Sequence, residues 1–287
     1  MITKAFGDIA VTNVVEMDGP MFPPGNLFPD HTPDMIEDNR DWLVPTHIDA
    51  DEGLLVMPIQ SFVIKTKHHT ILVDGCFGND KERPNPKFDK LNTPWLEHLA
   101  AAGATPEDVD FVMCTHLHGD HVGWNTKLEN GRWVPTFPNA KYLFGKTEWA
   151  YWEDPPTNRP TLHLNDSVLP IIEAGRSVLV GDGHEIEDSI VITPLPGHTP
   201  GHAGIHIKES GGDAILIGDM IHHPLQIAHP DLCSDFCVDK PLARATRRKF
   251  LDTYADSGVT VVPSHFPEPI FGHIVGKDGG YGWKYVD

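Results

Sequence analysis

Positive charge is scarce in this chain. Its 287 residues hold 22 Lys plus Arg against 41 Asp plus Glu, a formal net charge of −19. Such an acidic polymer has no general electrostatic attraction for nucleic acid or anionic lipid, so neither nucleic acid nor a membrane is expected as a partner. Cysteine is scarce too. The four residues, Cys76, Cys114, Cys233 and Cys237, contain no Cys-x-x-Cys pair. That excludes a disulfide-dense secreted scaffold and reads as buried or free thiols in a reducing compartment. No run approaches the roughly 18 consecutive apolar residues of a membrane span. The first residues lack the basic start and apolar core of a signal peptide, and a cytoplasmic protein is expected. No internal repeat is evident.

What the chain has in excess is histidine, 18 residues in all. Imidazole is a common metal ligand and the side chain most easily titrated near neutral pH. With 40% apolar and 22% charged residues, the chain is expected to fold around a sizeable core.

Short β-rich runs alternate with helical segments. Strands are expected at Ile9–Val15, Leu54–Ile64, Thr70–Val73, Phe111–Cys114, Lys141–Phe144, Val178–Val180, Ile190–Thr193, Ala203–Ile207, Ala214–Ile217 and Val259–Val262. Lys67-His68-His69 marks a hairpin turn. Thr93-Pro94 starts a helix, with Thr93 as the capping hydroxyl, and Gly103 stops it. Further helices are expected at Glu148–Glu153, Asp166–Ala174 and Leu242–Ala255. This order suggests sheets with helices packed outside them. One domain over 1–287 is expected. Residues 16–53 are rich in proline and carry Phe22, Phe28 and Trp42. They read as an arm without regular structure laid on the body, as packing, as a substrate lid or as a contact in a homodimer.

The strongest chemical signal is Thr115-His116-Leu117-His118-Gly119-Asp120-His121, directly after the strand at Phe111–Cys114. Four potential ligands fall within six residues. Neutral imidazoles with a carboxylate suit Zn²⁺, and also Fe, Mn, Co or Ni. Three other strands end on a His or Asp. Pro196-Gly197-His198 follows Ile190–Thr193, Gly218-Asp219 follows Ala214–Ile217, and Ser264-His265 follows Val259–Val262.

His116-x-His118-x-Asp120-His121, then His198, Asp219 and His265, resemble in order and spacing the ligand set of the metallo-β-lactamase superfamily. The resemblance runs from about Leu54 to His273. It implies an α+β fold, a four-layer αβ/βα sandwich, and two divalent metal ions, zinc first among them. It implies that His116, His118 and His198 bind one metal, that Asp120, His121 and His265 bind the other, and that Asp219 bridges them. Asp74-Gly75 matches the family's early Asp turn, with Asp74 holding a ligand His by its other ring nitrogen. Asp120 would be the catalytic acid/base. His265-Phe266-Pro267-Glu268-Pro269 and Gln226-Ile227-Ala228-His229-Pro230 are similar to a branch with methyl parathion hydrolase, esterases and lactonases. Lactonases of this fold often place a Tyr three residues after the bridging Asp. Here that position is His222, followed by His223, and both are candidate substrate contacts, as is His273. The resemblance implies a hydrolase of a small-molecule ester or lactone. Phosphotriester, β-lactam and thioester cleavage remain open, as does a non-hydrolytic iron protein.

Overall fold

The computed structural model describes residues 1–154, 161–277 and 279–286. Its contacts divide the chain into two compact units. One comprises Met1–Met17 with Ile59–Asp182, and the other Asp18–Pro58 with Gly183–Asp287.

The first unit is built on a seven-stranded mixed sheet. Thr3–Phe6, Ile9–Met17, Ile59–Lys65 and Thr70–Val73 pair antiparallel in that order. Phe111–Met113, Lys141–Gly145 and Ser177–Val180 extend it in parallel. Phe62, Val63, Ile64, Ile71, Leu72 and Val112 are all buried. Consecutive burial of this kind marks strands covered on both faces, with no polar alternation left to read.

The second unit carries another seven-stranded sheet. Its strands are Glu185–Glu187, Ile190–Pro194, Ala203–Ile207, Ala214–Leu216, Thr260–Val262, Gly272–Lys277 and Gly280–Tyr285, paired in that order. Only the pairing of Ala214–Leu216 with Thr260–Val262 is parallel. The crossover between them contains the helix Lys240–Tyr254, whose first turn is capped by Asp239 accepting from the Leu242 amide at 2.9 Å. That helix buries Ala243, Arg247, Phe250 and Leu251, one stripe at helical spacing. Phe250 and Leu251 pack with Ile215, Ile217, Val261 and Phe266.

Several local expectations are corrected. The run at Leu54–Ile64 is two strands, Leu55–Val56 and Ile59–Lys65. Pro58 has no N–H to give a ladder, and the chain changes unit there. The arm is not irregular throughout: it holds a strand at Pro20–Phe22 and three short helices at Pro24–Leu27, Pro33–Glu37 and Arg40–Leu43. Pro24 and Pro33 open two of these helices, where the missing N–H costs nothing. Thr93 caps no helix. Its hydroxyl donates to Glu16 Oε1 at 3.3 Å, and the helix Trp95–Ala101 starts after Pro94. The segment at Asp166–Ala174 begins as a π-helical turn at Leu164–Val168 before Leu169–Glu173. Pro170 cannot donate to the Asp166 carbonyl, which accepts from Lys81 Nζ at 3.3 Å and from the Thr126 hydroxyl.

Candidate metal centre

In the first unit the buried strand Phe111–Met113 runs into the loop 114–118, then the short helix Gly119–Val122. His116 and His121 are buried, and their rings lie 4.1 Å apart. His116 Nε2 and His118 Nδ1 converge to 3.0 Å. His121 Nε2 is 3.7 Å from Asp120 Oδ2.

Asp74 organises this loop from below. Its backbone is left-handed, with φ of 61°, an unusual conformation for a residue with a side chain. Its Oδ1 accepts the Thr115 amide at 2.7 Å, and its Oδ2 accepts the Thr115 hydroxyl at 2.9 Å and His121 Nδ1 at 2.8 Å. Since the Thr115 hydroxyl gives its proton to Asp74, it accepts from His116 Nδ1 at 3.1 Å. Both histidines therefore carry a proton on Nδ1 and a lone pair on Nε2, the tautomer a metal ligand needs.

The loop is packed against the 75–78 turn without room for side chains. A Cβ on Gly123 would lie 1.8 Å from the Phe77 carbonyl oxygen. Glu16 braces both segments. It accepts the Phe77 and Gly78 amides at 2.8 and 3.1 Å and Trp124 Nε1 at 2.6 Å. Burial raises its pKa, and these hydrogen bonds pull it partly back. Nothing in the local sequence around Glu16 marks it.

The second unit places His198, Asp219 and His265 in the segments that follow three strands of its sheet, Ile190–Pro194, Ala214–Leu216 and Thr260–Val262. Asp219 Oδ2 is 3.3 Å from His198 Nε2, and its Oδ1 is 3.1 Å from His265 Nε2. His265 Nδ1 donates to the Pro58 carbonyl at 2.9 Å, which again leaves the lone pair on Nε2. His202 holds Asp219 through the backbone. Its Nδ1 donates to the Leu195 carbonyl and its Nε2 accepts the Asp219 amide, both at 2.9 Å. His198 Nδ1 faces Cys237 Sγ at 3.6 Å. All four cysteines are buried free thiols.

His222 joins the same group. Its Nε2 is 3.3 Å from Asp219 Oδ2, and its ring stacks parallel to His265. His198, Asp219 and His222 each offer a ligand atom, all within 4.8 Å of one another. Neither ring nitrogen of His222 has a hydrogen-bond partner among the described residues, although the side chain is 3% exposed. A buried imidazole of that kind fits a site completed by a bound group.

His223 differs. Its Nε2 donates to the His47 carbonyl at 2.9 Å and its Nδ1 accepts the Leu225 amide at 3.2 Å. Both ring nitrogens thus serve the backbone, and burial pushes its pKa down to about 4. His273 is half-buried on the strand Gly272–Lys277. Among the described residues no helix is long and apolar enough to cross a membrane.

The sequence profile of the metallo-beta-lactamase superfamily matches residues 54–278. The chain belongs to this superfamily. Its α+β class, with two mixed sheets and flanking helices, is that of the metallo-β-lactamase fold. An N-acyl homoserine lactonase from Bacillus sp is 23% identical over 244 residues, covering 79% of this chain and 85% of that protein. The match to a lactonase of Bacillus cereus, at 24% identity, spans 58% of this chain and 64% of the relative. Among solved structures, hydrolase AbOPH of the beta lactamase superfamily superposes with a TM-score of 0.82 at 27% identity, over 99% of this chain and 97% of that one. The dizinc quorum-quenching lactonase AidC, solved with a product, shares the fold with a TM-score of 0.81 at 22% identity, over 100% and 97% of the two chains.

Proposed function

We propose that the protein is a dinuclear metal-dependent hydrolase of small esters or lactones. His116, His118 and His198 would hold one metal, Asp120, His121 and His265 the other, and Asp219 would bridge them. The observation that carries this reading is the directed tautomer. His116, His121 and His265 each give their Nδ1 proton to a protein acceptor and keep the Nε2 lone pair for a ligand bond. Nitrogen-rich donors with two carboxylates suit a borderline ion, and we assign zinc. When bound, two such ions would lower the pKa of a water and polarise the scissile carbonyl.

The remaining work falls to the chain's own side chains. Asp120, 25% exposed, is the accessible carboxylate of the first unit's cluster. It would orient the attacking water and pass the proton to the leaving oxygen. His222 would donate a hydrogen bond to the substrate carbonyl, in the position where related lactonases use Tyr. His223 would hold the arm through the His47 carbonyl. Lactonase relatives of similar extent favour a lactone over the phosphotriester, β-lactam and thioester alternatives. The four buried free thiols support a reducing compartment, the cytoplasm.

Metal analysis combined with a substrate panel tests the proposal. About two zinc ions per chain are expected, with turnover of N-acyl homoserine lactones or p-nitrophenyl esters. One metal or none, or turnover confined to paraoxon-like triesters or nitrocefin, would overturn it.

A further inference from the structure

Leu117 lies between two of the proposed ligands, and both of its backbone groups are tied to side chains. Its N–H donates to Glu148 Oε1 at 3.0 Å. Its carbonyl accepts from the His163 ring. Since His163 Nε2 has no partner among the described residues, the donor is Nδ1. Trp152 closes the group. Its Nε1 donates to the same Glu148 oxygen at 2.7 Å. Its ring stands edge-on to His163 at 5.1 Å and to His118 at 5.6 Å. Glu148 is 1% exposed, Trp152 2% and His163 8%.

The N–H belongs to the peptide group between His116 and Leu117 and the carbonyl to that between Leu117 and His118, so bonding both to buried side chains fixes two successive peptide planes. Leu117 is fully buried, and His116 and His118 flank it with ring nitrogens 3.0 Å apart. One of the two fixed peptide groups is shared with His116 and the other with His118, so the pair of bonds restrains the backbone that carries both histidines. The ordinary solution for such a loop is backbone or water partners. Two side chains from beyond the loop do it here, Glu148 on the helix Lys146–Glu153 and His163 just before the π-helical turn, with Trp152 of the same helix bonded to Glu148.

We propose that Glu148, Trp152 and His163 form a clamp on the backbone of Leu117 that sets the metal affinity of the His116–His118 pair. They are positioning residues and touch no substrate. The proposal rests on the reading of His116 and His118 as ligands.

The test is zinc affinity, measured by chelator competition on full-length protein stripped and reloaded. Melting of the metal-free form is followed in parallel. His163→Leu removes the donor and should weaken the tighter site by about 10- to 100-fold, the usual effect of losing a partner behind a ligand. His163→Asn carries an N–H where Nδ1 stands and should restore most of that affinity. Glu148→Leu, which removes the acceptor shared by Leu117 and Trp152, should weaken it as well. Melting of the metal-free protein should not follow this order. Wild-type affinity in His163→Leu, equal losses in the Leu and Asn variants of His163, or losses that simply track metal-free melting would overturn the clamp. His116→Ala separates the two claims. If it keeps wild-type affinity, the ligand reading falls and the clamp with it. If it loses affinity while His163→Leu does not, only the clamp falls.

Discussion

Asp74 Oδ2 and His121 Nδ1 are joined at 2.8 Å, both side chains buried. The same carboxylate reaches His116 through the Thr115 hydroxyl. One left-handed Asp thus sets the tautomer of two histidines. Asp74→Asn should reduce zinc affinity by about 10- to 100-fold while far-UV circular dichroism stays native. Chelator competition reads it.

Asp120 is assigned the proton transfers. Asp120→Asn should lower kcat by about 10²- to 10⁴-fold with little change in melting temperature, because its side chain is 25% exposed and buries no charge. Unchanged turnover would remove it from the mechanism.

His222 is assigned the carbonyl contact. His222→Phe should lower kcat/KM for lactones by about 10²-fold, the scale of losing one donor to a developing oxyanion. His222→Tyr restores a donor of different reach and should recover part of the loss. A Phe variant as active as wild type would end this assignment.

Gly123 is required by the backbone of its neighbour. Gly123→Ala would drive a methyl group into the Phe77 carbonyl and should cost about 3 kcal/mol or more in urea unfolding. Gly181→Ala meets nothing within 4 Å among the described residues and should stay within about 0.5 kcal/mol of wild type.

Three buried histidines make the fold sensitive to acid. Burial holds His47 down to about 2, while burial holds His223 to about 4 and burial with the Arg83 guanidinium holds His163 to about 4. The unfolded chain takes up a proton at each near the ordinary value of 6.5, whereas the folded chain keeps each neutral. Stability from these groups is therefore complete above about pH 6.5 and is lost as pH falls toward 4. The slope is about 1.4 kcal/mol per pH unit for each histidine. Urea midpoints across that range should fall, and His223→Asn should make the decline shallower.

The loop proposed to bind metal was legible as a cluster because its signal is local. His116, His118, Asp120 and His121 sit within six residues, and a buried strand leads into them. His198, Asp219 and His265 were legible because each follows a strand. Their supports were not legible. Glu16, His163 and His202 act across 61, 46 and 17 residues on Phe77, Leu117 and Asp219, and no spacing records such a partnership. The hairpin Thr126–Glu129 with Arg132–Pro135 went unread although Asn130-Gly131 is a strong turn signal. Its strands are short and mostly exposed, so they lack the buried run that marks the others. Thr93 followed by Pro94 has the chemistry of a cap, but the hydroxyl has a better partner in a buried carboxylate far along the chain.

Neither compact unit is a continuous stretch of chain. During synthesis the segment 18–58 leaves the ribosome well before residues 183–287, the rest of its unit. Its buried side chains Leu27, Phe28 and Leu43 must wait for neighbours such as Asp235, whose amide bonds the Leu27 carbonyl. At ordinary translation rates that wait is on the order of ten seconds. A nascent chain halted near residue 182 would therefore expose an apolar, proline-rich segment to chaperones, while the first sheet already has all seven of its strands.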